Sequence, residues 1–510
     1  MVSDSKTIAK NTIFLYIRMF LTMIISLYTS RVILQTLGVD DYGIYQAVGG
    51  IVGMLSFINS ALATGSSRFL TYGMGEGDEL KLKKIFSTTL TAHLILAIFV
   101  AIIAETAGLW FLYNKMVIPA DRFDAAVFAY HMSIVTAFFT ITQVPYGSCI
   151  IAHEKMTVYA YVSIIEALLK LLIVYLLVIG NIDKLILYAL LLCVVQVGLI
   201  LFYGFYCTHR FNEVSLHLLI DKSIFREVAS FSGWSMFSNA SIALNNQGIL
   251  LLLNMFFAPA VVTARSISLQ INGMANQFVN NFQTAANPQI VKLFAAGDYE
   301  GSKQLLLQTT KVSFYLMFLL ALPICLTAEW LLKLWLGVVP EYSVIFLQLV
   351  VIQSMFHVFD TSFYRALYAK GRIKENALIS PTLGFIKFPI IYLLFRYGYS
   401  PVVLSWASII TNALLGLIIK PYLVVKIVGY RWSDIISVFK PCFYVTLVSL
   451  PIPILTVLLM NNYCSSVFFS FIVVFFVAII SIATATWFIG LNDGMKKMVI
   501  RFVASKIIKK

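Results

Sequence analysis

Charge is scarce in this chain: 12% of its 510 residues are charged, 60% are hydrophobic, and mean hydropathy is +0.89. A soluble domain carries about 25% charged residues, so a soluble enzyme or binding module is excluded. Cysteine is scarce too. Cys149, Cys193, Cys207, Cys325, Cys442 and Cys464 form no CxxC pair and no Cys/His spacing of a zinc site, so they read as small core hydrophobes and no metal is expected. His93, His131, His153, His209, His217 and His357 predict no cluster either. Also missing are a Gly-rich phosphate loop, a catalytic triad and a soluble catalytic domain. The longest predicted outer gaps, 112–124 and 329–341, are too short to hold such a domain. No cleavable signal is expected, because the first apolar run is span-length and lacks a small-residue cleavage site.

What is present is length in the apolar runs. Stretches of about 20 residues, each able to cross a hydrocarbon core of roughly 30 Å, recur from end to end. Reading them against their polar breaks predicts about fourteen membrane helices, the first at 11–36 and the last at 466–490. The net charge of +14 is distributed unevenly. With the N-terminus inside, Lys81, Lys83, Lys84, Lys370, Arg372, Lys374 and the tail from Lys496 to Lys510 are cytoplasmic. Few bases, such as Lys115, Arg122, Lys184, Lys333 and Arg396, fall outside. That asymmetry places both termini in the cytoplasm and assigns the charge to a membrane rather than to nucleic acid. The tail "KKMVIRFVASKIIKK" suits the anionic inner leaflet, so membrane lipids are expected partners.

The chain also repeats itself. Ile51, Gly53 and Met54 overlie Ile271, Gly273 and Met274, and Thr64, Gly77, Asp78 and Lys83 overlie Thr284, Gly297, Asp298 and Lys303. The register holds without gaps over about 40 positions. Six spans precede the second copy, so both copies share one orientation. The predicted organisation is an N-terminal six-helix lobe (1–210), a cytoplasmic linker (211–227), a second six-helix lobe (228–430), two further helices (431–492) and a basic cytoplasmic tail (493–510).

Polarity inside the spans gathers in equivalent places of both halves. The first span carries Arg18, Thr22, Ser26 and Thr29 on one face, and the second carries Ser60, Thr64 and Ser67. The seventh offers Asn239, Asn245 and Asn246; the eighth offers Arg265, Ser268, Asn272, Asn276, Asn280 and Gln283. Such hydroxyls and amides can join helices, but the amide-rich face of the eighth span points instead to a hydrated cavity suited to sugar hydroxyls. Most charges within spans have simple explanations. Glu166 and Lys170 neutralise each other one turn apart, and Arg68, Lys311 and Arg365 can snorkel. Arg18 and Arg265 do not, lying roughly 10 Å in from a helix end on the polar faces. A guanidinium suits phosphate because its fork makes bidentate charge-assisted bonds. Asp360 and Lys387 are weaker candidates for coupling transport to an ion gradient, or for simple mutual pairing. Spans 1, 2, 7 and 8 contain no Asp or Glu, which argues against a drug/cation antiporter.

"LGVDDYGIY" (37–45) raises an enzymatic alternative, since paired acids can hold a metal for glycosyl transfer. Its gap is too short to shape a sugar-donor site, and Asp40 and Asp41 align with Ala260 and Val261 in the second copy. The pair therefore reads as capping the second span and meeting Arg31.

"SRVILQTLGVDDYGIYQAVGGIV" (30–52) and "SSRFLTYGMGEGDELKLKKIFSTTL" (66–90) resemble the start of bacterial polysaccharide-export (Wzx-type) flippases, members of the multidrug/oligosaccharidyl-lipid/polysaccharide superfamily. The resemblance implies an all-α, MATE/MurJ-like polytopic fold: two pseudo-symmetric six-helix lobes plus two C-terminal helices. It implies cargo in the form of an undecaprenyl-pyrophosphate-linked oligosaccharide, moved from the cytoplasmic to the periplasmic leaflet of the bacterial inner membrane by alternating access. Such transport serves O-antigen, capsule or exopolysaccharide synthesis, alongside a polymerase and other export proteins. By helix, Arg18 and Arg265 match cavity arginines of the related lipid II flippases; Arg68 matches poorly. Under this reading Arg18 and Arg265 hold pyrophosphate, while Thr22, Ser60, Thr64, Asn245, Ser268, Asn272, Asn276 and Asn280 face the sugar. The last two helices would guide the lipid tail. No cofactor is expected, the energy coming from a proton or sodium gradient or the membrane potential. The competing readings are a membrane glycosyltransferase, polymerase or ligase of the same pathway, and a multidrug/cation antiporter.

Overall fold

Inside lipid a backbone must satisfy its own hydrogen bonds, and a helix does so within one segment. The computed structural model describes residues 5–76, 78–153, 155–179, 182–214, 218–372, 374–464, 466–494 and 496, and these are helical apart from short turns. Within its helices the side chains of 5–18, 61, 64, 68, 75, 76, 156, 227–235, 238, 285, 288 and 377 lie outside the described residues. Arg18 and Thr64 are among them.

Eleven of the described helices are long and apolar enough to cross a membrane, or twelve if the bent pair Val39–Met54 and Ser56–Met74 is one span. Fourteen were expected. The helical run from Lys222 to Phe256 and the helix Pro259–Ala295 are long enough but are not among the apolar set. Their Ser, Asn and Gln, which marked them as candidates for a polar cavity, lower their hydropathy. The bent pair turns by 51° at Leu55, whose amide bonds back to Val52 O at 3.0 Å, between Gly53 and Ser56. Glycine and serine flanking a tightened turn are a recognised cause of such a kink.

The run Glu79–Lys115 shows how sequence dictates faces. Leu96, Ala97, Val100 and Ala104 are buried, whereas Ile95, Ile98, Phe99 and Ile102 form an exposed apolar stripe suited to lipid tails. At Ala104–Gly108 the helix widens into a π-turn, and the Ala104 carbonyl accepts a 2.6 Å hydrogen bond from the buried Tyr130 hydroxyl. Gly108 makes room for it, since a Cβ there would lie 2.1 Å from that oxygen.

The chain divides into two compact units, Met1–Thr263 with Gly384–Pro401, and Ala264–Leu383 with Val402–Lys510. The first is built around Leu70, Phe86, Tyr146, Ile150, Leu199 and Tyr203. The described residues of the predicted link between lobes, 211–214 and 218–227, belong to it. The second has a core of Met317, Phe318, Phe359, Phe363, Val424 and Ile435. Its C-terminal helices are part of that body. Val438, Val445, Ala478 and Ile482 are buried, and Tyr315 donates a hydrogen bond to Gly490 O at 3.2 Å. Phe468, Phe476 and Ile480 on their other faces are exposed.

The acidic pair at 40–41 lies in the first turn of Val39–Met54, where it complements the helix dipole. The N-cap itself is Gly38, with positive φ, and no side chain caps it, contrary to expectation. Asp41 is held by Arg122 instead. The guanidinium donates from Nε and Nη2 at 2.8 and 2.6 Å, and Nη1 reaches Asp183 at 2.5 Å. Gly43 permits close packing beneath them, because a Cβ would meet the Pro259 carbonyl at 2.1 Å.

Candidate functional site

In the first unit four helices line an open cavity of about 960 Å³ whose mainly apolar wall carries several polar side chains. Ser67 and Thr71 stand one turn apart on Ser56–Glu76, and Thr140 and Gln143 come from Phe123–Ala152. Glu166 projects from Met156–Leu176 and Gln196 from Lys184–Arg210. Gln196 Nε2 donates to Gln143 Oε1 at 2.7 Å, and both side chains line the space. Thr71 and Thr140 donate their hydroxyl protons to Ser67 O and Thr136 O, each at 2.8 Å. Their oxygens are therefore presented as acceptors. Glu166 is paired with Lys170 at 2.6 Å, as the spacing predicted. Tyr72, Tyr159 and Tyr203 add amphipathic rings, and a Cβ at Gly147 would meet nothing within 4 Å. Acceptors, donors and aromatic edges of this kind can bind a polyhydroxylated ligand. Ser67 and Glu166 were visible in sequence; Gln143 and Gln196 lie fifty residues apart and only folding pairs them.

In the second unit the polar face of Pro259–Ala295 is mostly engaged. Ser268 Oγ donates to Ala264 O at 2.8 Å. Asn272 Oδ1 accepts from Ser354 Oγ at 2.6 Å, and Asn276 Nδ2 donates to that same oxygen at 2.9 Å. Gln283 Nε2 donates to Ser362 Oγ at 2.8 Å and its carbonyl accepts from Arg365 at 3.3 Å. This is a seam joining Pro259–Ala295 to Ser343–Ala369, which corrects the expectation that Ser268, Asn272 and Asn276 line open water. The partners Ser354 and Ser362 sit two turns apart on one face of the facing helix, a signal that passes for ordinary span composition. Asn280 is exposed.

Arg265 is 2% exposed rather than cavity-lining. Its Nη1 donates to Ser405 Oγ at 3.3 Å, its guanidinium lies 5.7 Å from the Phe346 ring centre, and Nε has no partner. Asp360 pairs at 3.1 Å with Lys420, itself 2% exposed, within the second unit, while Lys387 is buried in the first. Lys420 was not singled out in the sequence, because its partner Asp360 lies on another helix and only folding pairs them.

The remaining expected residues of the first unit bond locally. Thr22 donates to Met19 O at 3.1 Å, the exposed Ser60 to Ser56 O at 3.1 Å, and Asn245 to Ser241 O at 2.8 Å. Asn245 packs on Gly384, where a Cβ would lie 2.6 Å from its nitrogen. Cys149, His153 and Glu213 bring their donor atoms within 4.8 Å of one another, a grouping that sequence spacing did not show.

The chain matches the family model described as "Polysaccharide biosynthesis protein" over residues 8–294, more than half its length. It belongs to that family. A relative in Bacillus subtilis (strain 168), the "Uncharacterized membrane protein EpsK", is 22% identical over 425 residues, covering 81% of this chain and 82% of its own. Among solved structures, "Lipid II flippase MurJ, inward closed conformation" aligns with TM-score 0.68 at 12% identity, over 93% of this chain and 98% of that one. An inward-facing "multidrug resistance MATE family transporter of the MOP superfamily" gives TM-score 0.68 at 13% identity, over 81% and 98%. This member of the polysaccharide biosynthesis family thus has the all-α, multi-pass fold of the MurJ and MATE structures.

Proposed function

We propose that this protein flips a lipid-linked oligosaccharide across the bacterial cytoplasmic membrane, both its termini being cytoplasmic, for assembly of a cell-surface polysaccharide. The cargo is a polyprenyl-pyrophosphate-linked glycan. The observation that carries this reading is the cavity of the first unit. It is a space with amide and hydroxyl side chains in its wall, within an apolar, membrane-spanning bundle, in a chain of a polysaccharide family. A lipid-linked sugar has its own apolar tail, so the protein need shelter only the head group. The glycan occupies the cavity beside Gln143, Gln196 and Thr140, and Arg18, whose side chain lies outside the described residues, remains the proposed partner of the pyrophosphate.

Gly147 supplies a direct test. Gly147→Ala adds a methyl group into open space on a helix, where it favours the helix by roughly 1 kcal/mol. Gly147→Phe puts a ring into the cavity. In a deletion strain, Gly147→Ala should restore surface polysaccharide, and Gly147→Phe should leave completed lipid-linked glycan on the cytoplasmic leaflet at equal protein abundance. Full export by Gly147→Phe would show that the cavity is not on the route. No lipid-linked glycan accumulating in the deletion strain itself would reject the flippase reading.

A further inference from the structure

Cys149 and His153 stand four residues apart at the end of Phe123–Ala152, so both emerge on one helical face. Glu213 reaches them from the turn that follows Lys184–Arg210. The Cys149 thiol donates to Glu213 Oε1 at 3.2 Å, and His153 Nε2 lies 2.5 Å from the same oxygen. Cys149 and Glu213 are buried, while the partly exposed His153 ring is stacked on Phe211 with centroids 4.0 Å apart. None of these groups faces the sugar cavity. Helix packing alone asks for no such convergence of thiol, imidazole and carboxylate.

We propose that Cys149, His153 and Glu213 form a Zn²⁺ site that ties the end of Phe123–Ala152 to the turn leaving Lys184–Arg210. Sulfur, nitrogen and carboxylate oxygen together are the donor set of zinc, whereas Mg²⁺ and Ca²⁺ prefer oxygen alone. The exposed side of His153 leaves a fourth position for water. Tetrahedral donors, each about 2.0–2.3 Å from the ion, stand farther apart than the present 2.5 Å contact. Glu213 must therefore swing outward by roughly 1 Å, which its place in a turn rather than a helix allows. Binding requires the thiol to lose its proton and His153 Nε2 to be free of its own, so affinity rises with pH.

The test uses the purified full-length chain, stripped with chelator and given Zn²⁺ or Co²⁺. Equimolar zinc should survive desalting, and Co²⁺ should give a thiolate-to-cobalt charge-transfer absorption. That absorption should vanish in Cys149→Ser and persist in Cys325→Ser, whose thiol lies in the second unit. Groups that merely support metal ligands are worth about 10–100-fold in affinity, so His153→Ala or Glu213→Gln should weaken zinc at least about tenfold. Cobalt spectra of the unaltered protein need no variant to fold. Folded, monodisperse protein that lacks the thiolate band, or that holds no more zinc than Cys149→Ser, would overturn the site.

Discussion

At Arg122 a single guanidinium answers two carboxylates, Asp41 and Asp183, and Asp183 also accepts from the Leu185 and Ile186 amides to cap Lys184–Arg210. The hydrogen bond from Arg122 holds Asp183 below the usual carboxylate range, against the opposing effect of burial and with help from those amides. A depressed carboxylate stabilises the fold above its unfolded value of about 3.9, and that contribution is lost as pH falls through the lower folded value. Arg122→Met should therefore lower the thermal midpoint at neutral pH and flatten its fall on acidification below about 3.9. The neutral-pH cost should be about 2–3 kcal/mol, because two carboxylates are left facing each other. Unfolding in detergent across the acid range measures both. An unchanged acid limb in the variant would mean that Asp183 draws its shift from the helix terminus alone. Asp41 was legible as a helix-start residue; its partner, eighty-one residues away, was not.

At the scale of elements, the local polar contacts decide which helices are joined. Removing the Tyr130 hydroxyl leaves the Ala104 carbonyl of the π-turn with the Leu109 amide as its remaining donor, and Tyr130→Phe should cost about 1 kcal/mol. The seam between Pro259–Ala295 and Ser343–Ala369 should be weaker per contact, since hydrogen bonds between membrane helices average about 0.6 kcal/mol. A double-mutant cycle on Asn276→Ala and Ser354→Ala should return a coupling near that value and no more than about 1.7 kcal/mol. A coupling near zero would mean that the seam is not holding the helices together. The apolar runs announced nearly every helix because the bilayer demands length and hydropathy of each. Asn272, Asn276 and Gln283 announced polarity but not its direction. An amide facing Ser354 and an amide facing water have the same spacing along their own helix, and only the neighbour distinguishes them.

For the whole molecule, the open question of the transport reading is its energy source, and the second unit offers one concrete place to look. Asp360 and Lys420 are a buried ion pair, with His357 Nδ1 3.7 Å from the carboxylate and Lys420 Nζ 5.5 Å from the Tyr364 ring centre. Both are drawn into the interior where Gly416 lets the helix bearing Lys420 approach Ser343–Ala369, a Cβ there lying 2.4 Å from Phe356 O. Breaking such a pair strands one charge and should destabilise the protein by about 3–5 kcal/mol, whereas replacing both members with apolar residues is often neutral or stabilising. Asp360→Asn alone should thus lower both stability and export, which says nothing about coupling. Asp360→Leu with Lys420→Met should recover the thermal midpoint. If the pair couples transport to a gradient, that folded double variant should still fail to export and should lose any response to collapsing the proton or sodium gradient. If it exports normally and responds as the unaltered protein does, the pair is structural, and coupling must be sought among the other charged groups of the spans.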